Sequence, residues 1–224
     1  MYNNTTSIRL PAASQADRPI AKASKGHCTA HVVLGSDNGR RFQAESHLEL
    51  RTLFVVNDLP GVVHIKEQVL FEWCDGASNK KHYFDLIAVL DSGRKIAFTV
   101  KPEVRLRSGK FLAEMQDVTR HALDAGFCDE VRLVTERDID PISESNARQL
   151  AAVRELDPEA DHIALKTVSE LSGALSLRDL TVRTGLNEKG YRALLRLVRD
   201  HHLRPVNHEV INPQTLVNKM EVVK

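Results

Sequence analysis

Apolar residues between positions 44 and 134 follow two spacings, one typical of helices and the other typical of strands. Residues 44–56 carry apolar side chains at helical spacing, and Ser46 with Glu49 fits a capping box at the helix start. Runs of β-branched and aromatic residues predict strands over residues 62–73, 83–90, 95–100 and 131–134, and a second helix is predicted over residues 111–123. This order predicts an α/β fold, a sheet covered by helices.

A short loop separates two of the predicted strands. It consists of Asp91, Ser92 and Gly93, and a glycine in so short a connection suits a hairpin. Strands 83–90 and 95–100 are therefore predicted to be antiparallel neighbours. This pairing brings Asp85 near Lys101.

The two ends of the chain differ from this middle region. Residues 1–25 show little periodicity and are predicted to form a loose arm that orders only on contact with something else, and we assign it no chemistry. Helices are predicted over residues 146–156, 163–171, 177–184 and 188–202, and the last three resemble a helix-turn-helix or winged-helix unit. We therefore predict an arm (1–25), an α/β domain (26–141) and a helical, winged-helix-like domain (142–224).

Composition sets limits on the kind of protein this is. Charged residues make up 27% of the 224 residues and apolar residues 42%, which is ordinary for a globular protein. The net charge of +1 means that any DNA contact must come from local patches. Three widely spaced cysteines suggest no disulfide framework, and no stretch has the length of a membrane span. We expect a soluble, cytoplasmic protein that does not bind a membrane.

One set of residues has the pattern required for phosphodiester hydrolysis. That reaction needs an activated water and a shield for developing charge, both of which a divalent cation held by carboxylates supplies. Glu49 on a helix, Asp85 on a strand, and Thr99, Val100 and Lys101 at the end of the next strand form the general PD-(D/E)xK nuclease pattern. Thr99 and Lys101 share one side of the strand because side chains alternate. Hard cations such as Mg²⁺ prefer oxygen ligands.

The chain resembles the TnsA endonucleases of heteromeric cut-and-paste transposons over about residues 40–205. The resemblance lies in Ser46-His47-Leu48-Glu49, Ile65-Lys66-Glu67-Gln68, Phe84-Asp85, Val100-Lys101-Pro102, and Leu133-Val134-Thr135-Glu136 followed by Asn146. The motifs are individually short, but their order and spacing together are fairly specific.

The resemblance implies a restriction-endonuclease-like fold and a bacterial Mg²⁺-dependent nuclease, with Mn²⁺ as an alternative metal. Such an enzyme cuts the 5′ strands at transposon ends beside a DDE transposase, and its C-terminal part meets an AAA+ ATPase regulator. Carried over by position, Glu49, Asp85 and the Val100 backbone carbonyl bind the metal, Lys101 orients the water or steadies charge, and Gln68 supports the site. Thr99 stands where the wider superfamily has Glu, Asp or Gln; a hydroxyl is a weaker, neutral ligand.

Two basic clusters are candidates for DNA contact. Arg105, Arg107 and Lys110 directly follow Lys101, with few acids between them, and are the preferred contact with phosphates. The last predicted helix carries Lys189, Arg192 and Arg196, which suit either DNA or a docking partner.

Simpler interpretations remain open for each site residue. Glu49 alone suits a helix cap, Asp85 alone suits a salt bridge with Lys101, and Lys101 alone suits an edge strand. The departure at Thr99 also allows a catalytically silent adaptor between transposase, regulator and DNA, or a single-metal site. A third hypothesis is a winged-helix DNA-binding regulator whose N-terminal half senses a ligand.

Overall fold

The computed structural model describes residues 9–20, 28–76 and 78–220. The elements in chain order are β1 (Ala30–Leu34), β2 (Arg40–Ala44), α1 (His47–Asn57), β3 (Val62–Cys74), β4 (Asn79–Leu90), β5 (Lys95–Val100), α2 (Glu103–Leu106), α3 (Lys110–Asp124), β6 (Glu130–Val134), α4 (Pro141–Ala151), α5 (Pro158–Ser169), β7 (Leu175–Ser176), α6 (Leu177–Thr184), α7 (Glu188–Arg199), β8 (Leu203–Pro205) and β9 (Leu216–Lys219).

The largest sheet has four strands in the order β3-β4-β5-β6. Its first three strands are antiparallel neighbours, and Leu86 pairs with Phe98 as the predicted β4–β5 hairpin requires. β6 runs parallel to β5, because α3 carries the chain back across the sheet between them. The predicted mixed α/β architecture is confirmed. The structure adds a separate hairpin of β1 and β2, which the spacing of apolar residues did not indicate.

Helices cover both faces of this sheet. Successive residues of β5 point to opposite faces, so Ile96 and Phe98 join one core while Ala97 joins another. The first core includes Leu53, Phe54 and Val56 of α1, and the second includes Met115, Val118 and Ala122 of α3. This packing sets the N-terminal turn of α1 near the carboxyl end of β5.

The C-terminal third contains α5, α6 and α7 with a small sheet of order β7-β9-β8. Leu177, Leu180, Leu194 and Leu203 are almost completely buried in one apolar core. The three short strands were not predicted. α4 begins at Pro141 rather than 146, since Asp140 caps it by accepting the Ser143 backbone N–H at 2.7 Å.

Part of the predicted N-terminal arm lies against the folded chain. Ala12 forms backbone hydrogen bonds with Gly39 and Arg41, and the backbone N–H of Asp17 donates to the Gln68 carbonyl at 3.1 Å. Residues 9–20 thus contact β2 and β3, while residues 1–8 and 21–25 of the predicted arm lie outside the described residues. In the described part of the chain, every helix is too short or too polar to cross a membrane.

Candidate functional site

Glu49 lies in the first turn of α1 and is held by three hydrogen-bond donors. The Ser46 hydroxyl donates to its Oε1 at 2.8 Å, the Glu45 backbone N–H donates to its Oε2 at 2.8 Å, and the Gln68 Nε2 lies 3.4 Å from the same Oε2. The Ser46 hydroxyl in turn accepts the Glu49 N–H, as the predicted capping box requires, whereas the Glu49 carboxylate accepts the N–H of Glu45 rather than that of Ser46. Glu49 as a residue is only 8% exposed, and these donors define the orientation of its carboxylate.

Asp85 lies in β4 and is 6% exposed. Its Oδ2 accepts the backbone N–H of Val100 at 2.7 Å, which ties it to the end of β5. Burial, and then the charge of Glu49, raise the pKa of Asp85 to about 7. Burial also raises the pKa of Glu49. Glu49 is therefore near enough to Asp85 for its charge to raise the pKa of Asp85.

Lys101 lies directly after β5, beside both acids. Its positive charge lowers the pKa of Glu49 and of Asp85, against the larger effect of burial. Among the ion pairs of the described residues, none joins Lys101 to Asp85, so the salt-bridge interpretation of Asp85 is wrong. The Lys101 ammonium instead lies 5.6 Å from the centre of the Phe111 ring.

An open cleft of about 470 Å³ gives access to this region. It is lined by Glu45, Ser46, Glu49, Val100, Lys101, Pro102, Arg105 and Phe111. The lining of the cleft thus includes two carboxylates, Glu45 and Glu49, and two cations, Lys101 and Arg105. Such a distribution suits a ligand that carries negative charge beside a cation.

Thr99 is buried, and its hydroxyl lies 3.3 Å from Nε2 of His82. Burial, and then the charges of Lys101 and Arg18, lower the pKa of His82 to about 4, so this imidazole is neutral at pH 7. The hydroxyl is engaged by His82, and Thr99 is not among the described residues that line the cleft. His82 was missed in the sequence, because a lone histidine in a strand has no ligand spacing.

Gln68 is fully buried in β3, where the sequence predicted a supporting residue. Its amide lies between Glu49 and Arg18, since Oε1 accepts the Arg18 Nε at 2.8 Å. Arg18 also donates to Glu45 at 2.9 Å and stacks over the Tyr83 ring at 4.5 Å. Arg18 was missed because the arm has no periodicity, so an arginine in this polar segment gave no signal.

The residues at the site fit a hard divalent cation. Burial raises the pKa values of Glu49 and Asp85, and neither carboxylate belongs to an ion pair among the described residues. Val100, whose backbone N–H binds Asp85, also has a backbone carbonyl that is a candidate ligand. In the part of the chain that the structure describes, no three His, Cys, Asp or Glu side chains cluster as metal ligands. A cation here would bind Glu49, Asp85 and the Val100 carbonyl, and water would complete its coordination.

The predicted DNA-contact residues fall into two groups. Arg105, Arg107 and Lys110 are exposed on or beside α2 and α3 near the cleft, and Lys189 and Arg192 are exposed on α7.

Arg196 was wrongly predicted as a DNA contact. It is 3% exposed, donates to Asp161 at 2.6 Å and also binds the Glu155 carbonyl. Its helix presents that side to the core, so the arginine stabilises the packing of α5 against α7.

Comparison of the chain with models of known protein families gives no match, and a search of curated proteins also gives none.

Proposed function

We propose that the chain is a divalent-metal-dependent DNA endonuclease of the TnsA type. The observation that carries this proposal is that Glu49 and Lys101 line one open cleft, while the buried Asp85 accepts the N–H of Val100, which lines the same cleft. Two buried acids are costly to keep, and the charge of Glu49 adds to the rise in the pKa of Asp85; a bound cation would offset that cost. The order α1, β3, β4, β5, α3, β6 supports a restriction-endonuclease-like fold.

Each group of the site has a definite part in such a reaction. When bound, Mg²⁺ or Mn²⁺ would activate a water and neutralise charge on the scissile phosphate. Glu49 and Asp85 would hold it, together with the Val100 carbonyl. Lys101 would stabilise the charge that develops on the phosphate or orient the attacking water. Arg105, which lines the same cleft, would hold the neighbouring phosphate.

The C-terminal third supports a role beyond catalysis. The order α5, β7, α6, α7, β8, β9, with β9 between the other two strands, is that expected of a winged-helix-like unit. Lys189 and Arg192 remain exposed on α7 for DNA or a partner. We propose that this unit docks the chain at transposon ends, beside a DDE transposase that cuts the 3′ ends and an AAA+ ATPase regulator.

The second candidate function is an adaptor with a silent nuclease site. The observation that favours it is Thr99 itself, which stands where a third acid would be and whose hydroxyl contacts His82. Calorimetric titration with Mg²⁺ or Mn²⁺ in the presence of DNA distinguishes the two functions. The nuclease predicts site-specific binding that is lost in Asp85→Asn, and the adaptor predicts none.

The direct test is cleavage of transposon-end DNA by the purified chain together with its transposase. We expect Asp85→Asn and Lys101→Ala to lower the 5′-strand cleavage rate by about a thousandfold or more. Asp91→Asn and Lys95→Ala are matched controls, because these exposed residues lie at the opposite ends of β4 and β5. Cleavage at the wild-type rate in both site variants would overturn the proposed function.

A further inference from the structure

The N-terminal arm is fastened to β3 directly beside the site. The carboxylate of Asp17 accepts the Leu70 backbone N–H at 2.9 Å and pairs with Lys66 at 2.6 Å. The Ser14 hydroxyl donates to Glu67 at 2.5 Å. The partners in β3, Lys66, Glu67 and Leu70, lie on both sides of Gln68 in the sequence. Because Arg18 directly follows Asp17, these contacts bring Arg18 to the Gln68 side chain.

Arg18 determines which way the Gln68 amide points. A guanidinium only donates hydrogen bonds, so the Gln68 atom that meets the Arg18 Nε at 2.8 Å must be the carbonyl oxygen, Oε1. The amide nitrogen is then directed to Glu49 Oε2, which lies 3.4 Å away. If the amide turned over, two oxygens would face each other across this gap.

The backbone at Gln68 is held in an unusual conformation. Its φ is +51° inside a strand, although the residue is buried and is not glycine. Left-handed backbone at such a residue costs on the order of 1 kcal/mol and persists where the surroundings hold it. Here the surroundings include the Asp17 N–H, which donates to the Gln68 carbonyl. The arm therefore contacts both the backbone and the side chain of Gln68.

We propose that Arg18 is a positioning residue of the nuclease site, which acts through Gln68 to hold Glu49 in the orientation that binds a divalent cation. This inference rests on the proposed function. Arg18 is not a metal ligand in this scheme, since a cation repels it. Its effect passes along the path Arg18, Gln68, Glu49, and its second bond, to Glu45, fixes the guanidinium plane. Residues that orient metal ligands typically affect metal affinity by about 10–100-fold.

The test compares Arg18→Ala, Arg18→Lys, Gln68→Ala and the double variant Arg18→Ala/Gln68→Ala in the full chain. Mn²⁺ affinity is measured by calorimetry without DNA, and single-turnover cleavage is measured with DNA and transposase. Arg9→Ala is the control, since Arg9 is an exposed arginine of the same arm that pairs with Asp37 away from the site.

We expect Arg18→Ala to weaken Mn²⁺ binding about tenfold and to slow cleavage at subsaturating Mn²⁺, while the DNA concentration for half-maximal rate changes less than about twofold. Arg18→Lys keeps a group that only donates but loses the planar fork that reaches both Gln68 and Glu45, so its Mn²⁺ affinity should lie between those of Arg18→Ala and wild type. The double variant is no weaker than Gln68→Ala, since both changes interrupt one path.

Several results would overturn this inference. Wild-type Mn²⁺ affinity in Arg18→Ala, an Arg18→Lys variant that binds Mn²⁺ more weakly than Arg18→Ala, or additive losses in the double variant would each exclude action through the Gln68 amide. In all three cases the wild-type chain still binds Mn²⁺ and cleaves DNA, so the proposed function stands. A wild-type chain that neither binds Mn²⁺ nor cleaves DNA would overturn both.

Discussion

The region of the β3 to β6 sheet and the C-terminal helical unit differ in whether a buried charged side chain has a counter-ion. In the helical unit, Arg196 is buried against Asp161 at 2.6 Å, so the charge has a counter-ion. Beside the sheet, Glu49 of α1 and Asp85 of β4 are both buried, and none of the ion pairs in the described chain includes either of them. A paired buried charge stabilises packing, whereas two like charges buried together weaken the fold and mark a site for a ligand of opposite charge.

The largest expected effect is on stability when Asp85 is replaced by Asn. The pKa of Asp85 is raised from 3.8 to about 7, so its folded form holds a proton that the unfolded form releases. The contribution of the protonated Asp85 to the stability of the fold is complete below pH 4 and is lost as pH rises to about 7. Metal-free Asp85→Asn should therefore be more stable than wild type at pH 8, by about 2–4 kcal/mol, and equal to it at pH 4.

Urea unfolding in EDTA at both pH values measures this difference. Asp91→Asn, an exposed position after β4, is the control and should match wild type. A loss of stability in Asp85→Asn at pH 8 would show that the acid is satisfied without a cation.

In the helical unit, replacing an acid by its amide is expected to lower stability instead of raising it. Asp161→Asn leaves the Arg196 guanidinium buried without a counter-charge, so the free energy of unfolding should fall by about 2–3 kcal/mol. Asp200→Asn removes the partner of Arg199 at an exposed position and should cost less than about 1 kcal/mol. Equal losses in the two variants, measured by urea unfolding at pH 7, would remove the distinction between the pairs.

Close packing, rather than charge, sets the contact between α6 and α7. A Cβ added at Gly190 would lie 2.1 Å from the Thr184 hydroxyl oxygen, so Gly190→Ala should lower the unfolding free energy by about 2 kcal/mol. Thr184→Ala removes that oxygen, and the double variant should be more stable than Gly190→Ala alone. If thermal unfolding shows no such recovery, the two helices do not meet at this pair.

The smallest expected effect is stabilisation by metal, which should be confined to the sheet site. At ten times its dissociation constant, Mn²⁺ should stabilise the wild-type chain by about 1.4 kcal/mol at pH 8. The effect should shrink at pH 6, because Asp85 is then protonated. Asp85→Asn should show no shift in thermal unfolding, while Asp161→Asn should show the wild-type shift. Equal shifts in both variants would indicate binding elsewhere.

The parts of the site that depend on local pattern were predictable from the sequence. The capping box placed Glu49 at the start of α1, and the glycine hairpin brought Asp85 and Lys101 to the same region. Arg18 reaches the site through contacts with residues about 50 positions away, which no local periodicity reveals. The burial of Arg196 was missed for a related reason, because a charged residue on a helix does not by itself show which face it occupies.

The central claim is that Glu49 and Asp85 form one cation site beside Lys101. Crystals of the full chain soaked in Mn²⁺ at pH 8 test it most directly, because the metal is located by its anomalous scattering. The account predicts a peak about 2.1 Å from a carboxylate oxygen of each acid and from the Val100 carbonyl. No peak at saturating Mn²⁺, or a peak that leaves Glu49 uncoordinated, would contradict it.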